Sequence, residues 1–197
     1  MSTPSKVGAI FIGIVVLVLF VAGCASMQYA PAAEVPENLK PAANESLAMI
    51  VPARGAQIYE CRASKDRAGE YDWAFIAPEA ELFDASGTKK IGRHFAGPHW
   101  EAADGSVVQG VTKARADAPD ANAIPWLLLT AKSVGKEGSF SRVTSVQRIH
   151  TVGGVAPKGC FEAEAGMRLR IGYSADYVFY APKPAAQASR DFDMAGY

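Results

Sequence analysis

The chain has 197 residues, with 20 basic and 20 acidic side chains, and its formal net charge is therefore zero. This length suits a single domain. The charge balance excludes an electrostatic nucleic-acid binder, which needs a clustered positive excess. Hydrophobic residues make up 49% of the chain, which excludes wholesale disorder. We therefore predict one folded domain with no nucleic-acid partner.

The amino terminus has the pattern of an export signal. A polar start containing Lys6 precedes an uncharged apolar run over 7–22, and small residues lead from there to Cys24. A positive start, an apolar centre and a small-residue cleavage site make a secretory signal peptide. The stretch resembles the bacterial lipobox, whose cysteine is diacylated and becomes the first mature residue. We predict a lipoprotein signal peptide over 1–23, in a helix, and lipidation of Cys24; an uncleaved spanning helix is the alternative.

This interpretation also predicts where the protein resides. Ala25 follows the cysteine, where an Asp would resemble the inner-membrane retention signal. We therefore expect an exported protein that is lipid-anchored in the outer membrane and faces the periplasm. Each buried methylene contributes about 0.8 kcal/mol, so several acyl chains hold a protein firmly. The membrane is then a partner of the chain through Cys24.

The rest of the chain divides into three parts. Residues 24–45 are rich in Ala and Pro, which favours an extended, semi-rigid tether. Residues 46–181 are predicted to form a single β domain. Residues 182–197 are again Ala- and Pro-rich and then polar, and we predict a flexible tail.

Within the predicted domain, hydrophobic residues recur with period two, the pattern of half-buried strands. Alternation is clearest from Met167 to Tyr173, and turn signals such as Ser86-Gly87 and Asp104-Gly105 predict hairpins around them. The continuous apolar run 126–129 predicts a strand buried on both faces. No segment offers three turns of amphipathic helix. The fold class is therefore all-β, an antiparallel sandwich or barrel of many short strands.

Two cysteines remain if Cys24 is lipidated. Cys61 and Cys160 form a pair in a protein expected to reach an oxidising compartment, so we predict a disulfide between them. A metal-binding or catalytic thiol is the alternative, although neither cysteine belongs to a Cys-x-x-Cys motif.

The densest group of polar and aromatic residues spans 93–104. It supplies a candidate ligand or catalytic cluster of His94, His99, Trp100, Glu101 and Asp104. Two imidazoles and a carboxylate could bind Zn²⁺ or Cu²⁺, although the spacing matches no established metal motif. No nucleophile motif or phosphate-binding glycine loop occurs in the chain. We therefore predict no cofactor and assign no metal site.

A second group of residues suggests a ligand pocket. Aromatic-rich sites often bind small molecules, and the candidates here are Trp126, Tyr173 and Tyr177. His150 and Asp176 are also candidates: Asp176 directly precedes Tyr177, and His150 lies near the end of a predicted strand. His150 could complete a three-histidine site or be an exposed strand residue, and most of the aromatic side chains could equally be core.

Ordered sequence blocks along the predicted domain resemble a known family. They are 55–61, 78–82, 94–98, 100–101, 104–106, 123–128, 146–148, 153–157, 159–160 and 173–177. Together, over about Val51 to Tyr180, they resemble the "domain of unknown function 3455" family of exported bacterial and fungal proteins. The resemblance implies no particular activity. It also implies that His99 and His150 are not family features, because Thr or Ser usually stands at the first position and Asn at the second.

We therefore predict a lipoprotein that binds a small molecule or glycan, or has a structural role in the envelope. The alternative is a metal-dependent or carboxylate-based hydrolase centred on His94, Glu101 and Asp104. The sequence does not decide whether the protein is an enzyme, although the missing catalytic motifs favour binding.

Overall fold

The computed structural model describes residues 34–184. Within them, eight antiparallel strands close in sequence order into one barrel. The strands are β1 Glu45–Ala63, β2 Tyr71–Phe83, β3 Lys90–Phe95, β4 His99–Ala102, β5 Val107–Ala116, β6 Trp126–Ser133, β7 Ser145–Gly153 and β8 Arg168–Pro182. The all-β prediction is confirmed, and the architecture is the barrel. None of the helices within 34–184 is long and apolar enough to cross a membrane.

The period-two pattern is what builds the barrel wall. Along β8, Tyr173, Ala175 and Tyr177 are buried and face the interior, while Ser174 and Asp176 between them are only half-buried. The predicted hairpins join β2 to β3 and β4 to β5. Three loops, β2–β3, β4–β5 and β6–β7, lie at what we call the upper end. The β1–β2, β5–β6 and β7–β8 loops lie at the lower end.

The long strand β1 closes the barrel. It has 19 residues, more than the short strands expected from the sequence, and it pairs with β2 on one side and β8 on the other. Bulges interrupt the register between Ile58 and Tyr59 on the β2 side and between Leu47 and Met49 on the β8 side. Because a bulge bends a strand and increases its twist, these irregularities let a long strand follow a curved wall.

The strand predicted to be buried on both faces is β6. Leu127 and Leu129 face the interior, whereas Trp126 and Leu128 pack outside the barrel in a second cluster around Leu39. Leu39 has no exposed surface. It belongs to a short 3-10 turn before β1, and its carbonyl accepts a hydrogen bond of 2.7 Å from Gln147. A segment assigned to the tether from the sequence therefore covers the outer face of β6.

The predicted disulfide joins Cys61 to Cys160, 99 residues apart in the chain. It connects the lower end of β1 to the β7–β8 loop, which also bonds to the start of β2 through the Cys160 amide and the Tyr71 carbonyl, 3.1 Å apart. The predicted signal peptide, Cys24 and most of the predicted tail lie outside the described residues.

Candidate functional site

The barrel wall has a window on one side. Strands β3 and β4 have only six and four residues, so their hairpin stops short of the lower end. Within residues 34–184, positions 72–79 of β2 and 111–116 of β5 consequently have no strand partner on the sides that face each other. The turn of the β3–β4 hairpin is held to β5 by bonds from Gly110 to Pro98 and from Gln109 to Gly97. These three segments frame the window.

Behind the window lies an inner chamber of about 190 Å³. Phe75, Pro98 and Thr112 lie at the window and form the rim of this chamber, and side chains of the barrel interior form its wall. The wall residues are His94, Trp100, Leu127, Leu129, Arg148 and Tyr177. Gly110 forms part of this arrangement, because a Cβ atom there would lie 2.8 Å from the Trp100 ring. The absence of a side chain at Gly110 therefore gives the indole its position.

An outer chamber of about 390 Å³ continues toward the lower end. It shares Phe75, Thr112, Leu127 and Arg148 with the inner chamber, so the two chambers adjoin, and we call them together the cleft. The residues that it adds are Gln57, Tyr59, Arg115, Ile124 and Pro125. Ligand pockets in proteins typically enclose roughly 300–1,000 Å³, and the cleft reaches this range with its outer chamber.

Arg148 is the charged group inside this cleft. It faces the interior from β7, between Leu127 of β6 and Tyr177 of β8 in the register. Its Nε and Nη2 donate to the Pro125 carbonyl at 3.1 and 2.8 Å, which fixes the guanidinium plane. None of the ion pairs formed within residues 34–184 includes Arg148. A half-buried positive charge therefore faces the cleft without a carboxylate partner.

The cleft also holds two buried donors that have no acceptor. Among the described residues, three side-chain donors are fully buried without a hydrogen-bond partner: the Gln57 amide and the Trp100 indole in the cleft, and the Trp126 indole on the outer side of β6. Gln57 is 2% exposed and Trp100 1% exposed. A buried donor without a partner costs about 1–3 kcal/mol, so such groups are rare unless a ligand or water satisfies them. The cleft is therefore rich in donors.

His94 lies against the aromatic wall of the inner chamber. Its ring stacks on Trp100 with centroids 4.6 Å apart and meets the edge of Tyr177 at 4.9 Å. Burial lowers the pKa of His94 to about 3, so the imidazole is neutral at physiological pH. Nδ1 donates to the His99 carbonyl at 2.8 Å, since a carbonyl oxygen can only accept. Nε2 is therefore unprotonated and can accept a hydrogen bond.

Two tyrosines complete the interior next to Arg148. The Tyr173 and Tyr177 hydroxyls are 3.2 Å apart and buried. Burial raises the pKa of both phenols, and for Tyr177 the nearby Arg148 guanidinium acts in the opposite direction. Both phenols are consequently neutral at physiological pH and leave the Arg148 charge uncompensated.

Comparison with known proteins assigns this barrel to a family. The model of the family described as "Protein of unknown function (DUF3455)" matches residues 41–181. The chain belongs to this family. No curated protein and no solved structure matches it.

The DUF3455 barrel separates the cluster predicted around His94. Neighbouring strand residues face opposite sides, so His94 and Trp100 point inward while Glu101 points outward and pairs with Arg93 at 2.6 Å. His99 begins β4, and its ring donates back to the Ala96 carbonyl in the β3–β4 turn. The three groups of the predicted hydrolase therefore do not converge in one cleft.

Asp104 lies at the upper end, where it connects two loops. Its carboxylate accepts bonds of 2.6–2.9 Å from the amides and hydroxyls of Ser106 and Ser139. These bonds hold the pKa of the carboxyl well below its ordinary value. Asp104 therefore joins the β4–β5 turn to the β6–β7 loop, a structural role.

The predicted pocket residues divide between the two faces of the wall. Tyr173 and Tyr177 are inside, whereas His150, Asp176 and Trp126 meet on the outer side of β6, β7 and β8. There His150 bonds Asp176 at 2.9 Å and its ring contacts Trp126 with centroids 5.6 Å apart. Within residues 34–184, no three His, Cys, Asp or Glu side chains are grouped to hold a metal ion.

Arg148 and Gln57 were not among the site residues predicted from the sequence. A signal was available for both, because Arg148 lies two residues from the hydrophobic Val146 and Gln57 two residues from Tyr59, so each polar side chain shares a strand face with a hydrophobic one. A polar residue on the apolar face of a strand is informative, because such groups are rarely buried without a reason. The window could not have been found in this way, since it depends on the lengths of two short strands.

Proposed function

We propose that this DUF3455 protein binds a small molecule in the cleft behind the window. The observation that carries the proposal is the pair of buried donors without acceptors in a cavity that opens through a gap in the barrel wall. A folded protein keeps such donors at a cost in stability. A ligand with acceptor atoms would recover that cost upon binding.

The walls support a ligand with an apolar or aromatic body. Trp100, Leu127 and Tyr177 present flat or aliphatic surfaces to the inner chamber, as is common in small-molecule sites. Phe75 stands at the entrance with 53% of its surface exposed. A large apolar side chain at a cavity mouth gains buried area when a ligand covers it.

The proposal includes the location expected from the sequence. A protein anchored through lipidated Cys24 would hold this barrel beside the outer membrane, within reach of periplasmic solutes. Radiolabelled palmitate should label the wild-type chain and should not label Cys24→Ser. Labelling of both proteins would contradict the anchoring without bearing on the cleft.

Binding in the cleft is tested with N-phenyl-1-naphthylamine, a neutral apolar dye that fluoresces when it leaves water. We expect saturable one-site binding to the wild type. Thr112→Trp places an indole at a position that lines both chambers and should weaken binding about ten-fold or more. Val111→Trp is the matched control, since Val111 directly precedes Thr112 in β5 and points outward with 67% exposure.

Two outcomes would overturn the proposal. The first is no saturable dye binding by the wild type. The second is equal affinity of the Thr112→Trp and Val111→Trp variants, which would place the dye elsewhere. Melting temperatures of both variants verify that each remains folded.

A further inference from the structure

The cleft carries charge of a single sign. Seventeen residues line its two chambers, and among these described residues two are arginines, Arg148 and Arg115, and none is Asp or Glu. The one histidine, His94, is neutral. Arg115 lies at the mouth with 64% of its side chain exposed, and its nearest acid, Asp117, is 3.8 Å away and 94% exposed. The electrostatic potential of the cleft is therefore positive.

The Arg148 guanidinium has more N–H donors than its bonds to Pro125 use. An arginine has five N–H groups in a planar fork, and the Pro125 carbonyl receives bonds from Nε and Nη2. Three N–H groups remain, two on Nη1 and one on Nη2. Such a fork matches the two oxygens of a carboxylate, and charge-assisted bonds of this kind are about twice as strong as neutral ones.

The other donors point to the same chemistry. The Gln57 amide and the Trp100 indole need acceptors, and an anion supplies acceptors without adding a donor. The half-buried position of Arg148 matters because charges attract more strongly where water is partly excluded. A neutral ligand would leave the guanidinium unpaired, whereas a cation would be repelled by it.

We infer that the ligand of this cleft is a small organic anion with an apolar body, of the aromatic or branched carboxylate class. Its carboxylate would meet Arg148, and its body would lie between Trp100 and Leu127 toward the window. The inference rests on the proposed function, because it names the ligand class of the same cleft. It differs from that proposal in assigning the selectivity to one side chain.

The test compares three probes with the same ring system. They are 2-naphthoate, 2-naphthylmethanol and 2-naphthylmethylammonium, and each displaces bound N-phenyl-1-naphthylamine from the wild type. We expect the anion to bind about ten-fold tighter than the alcohol, as a charge-assisted bond to Arg148 implies, and the cation to bind weakest. Equal affinity of the anion and the alcohol for the wild type would overturn the inference, and no variant is needed for that result.

Variants then assign the selectivity. Arg148→Met keeps the length of the side chain and removes its charge, so the preference for the anion should disappear while the alcohol still binds. Arg148→Lys keeps the charge without the fork and should retain part of the preference. Arg142→Met removes the same charge from an exposed position of the β6–β7 loop and should leave all three affinities unchanged. A preference that persists in Arg148→Met would overturn the assignment.

The two proposals fail in different ways. If the neutral dye does not bind, the cleft is not a ligand site and the proposed function falls. If the dye binds in the cleft and the alcohol displaces it as well as the naphthoate does, the proposed function stands and the anion selectivity falls.

Discussion

The two ends of the barrel interior are built from different residues. At the upper end, Phe140 and Phe179 stack with ring centroids 4.8 Å apart, and Leu82, Val108 and Val146 around them have no exposed surface. At the lower end, the interior holds Gln57, Tyr59, Arg148 and the cleft. One end is packed as a core and the other is open and polar. The difference places the packed core and the proposed binding cleft in separate parts of one small barrel.

We expect the covalent link to compensate for the open, polar interior of the lower end. Cys61 and Cys160 join the strand end and the loop that border this region. Because the disulfide closes a loop of about 100 residues, its removal should cost roughly 4–5 kcal/mol in the chain-entropy account. We expect Cys61→Ala/Cys160→Ala to lower the free energy of unfolding by about that amount, measured by urea denaturation. Wild-type protein with its disulfide reduced is the control, and equal stability with and without the bond would contradict this view of the lower end.

A pair of substitutions on one strand compares the ends directly. Phe179 and Tyr177 both face the interior from β8, two residues apart. Phe179→Ala leaves a void in the packed end and should cost about 3–5 kcal/mol. Tyr177→Phe removes one hydroxyl at the cleft and its bond to Tyr173, which should cost about 1 kcal/mol. Similar losses for the two variants, measured by urea denaturation, would remove the distinction between the ends.

A further comparison concerns the titration of His94. Its folded pKa is about 3, whereas an unfolded imidazole titrates near 6.5. The unfolded chain therefore binds a proton that the folded chain does not between these values. The contribution of His94 to the free energy of unfolding is fully present above about pH 6.5. Below that pH it falls by roughly 1.4 kcal/mol per pH unit, until the folded pKa is reached. Between pH 6.5 and 5 this amounts to about 2 kcal/mol.

The measurement is the free energy of unfolding of wild type and His94→Asn at several pH values from 7 to 5. The asparagine amide can still donate to the His99 carbonyl but does not titrate, so the slope should become flatter. His150→Asn is the control, since that ring lies on the outside with 44% of its side chain exposed. An unchanged slope in His94→Asn would mean that the imidazole can be protonated in place.

Much of the fold could be predicted from residue patterns. Alternation along β8, the turns at Gly87 and Gly105, and the apolar run 126–129 each led to an element that the structure contains. The residue types also led to the disulfide, because two cysteines remain in the predicted exported domain. The candidate site was only partly found. Tyr177, His94 and Trp100 do line the cleft. Glu101 points outward, since one step along a strand reverses the direction of a side chain, while Asp104 lies in a turn and His150 on the outer side at an irregularity in the β7–β8 register.

The sequence by itself determined the all-β class, the hairpins, the cysteine pair and the family, because these depend on local pattern and on residue identity. The tertiary structure decided that the sheet closes, that β3 and β4 leave a window, and that Arg148 faces a cleft without a carboxylate. These features depend on register and on relative strand length, which arise only when strands distant in the chain are paired. The zero net charge of the whole chain therefore conceals a positive interior, since the acids lie outside the cleft.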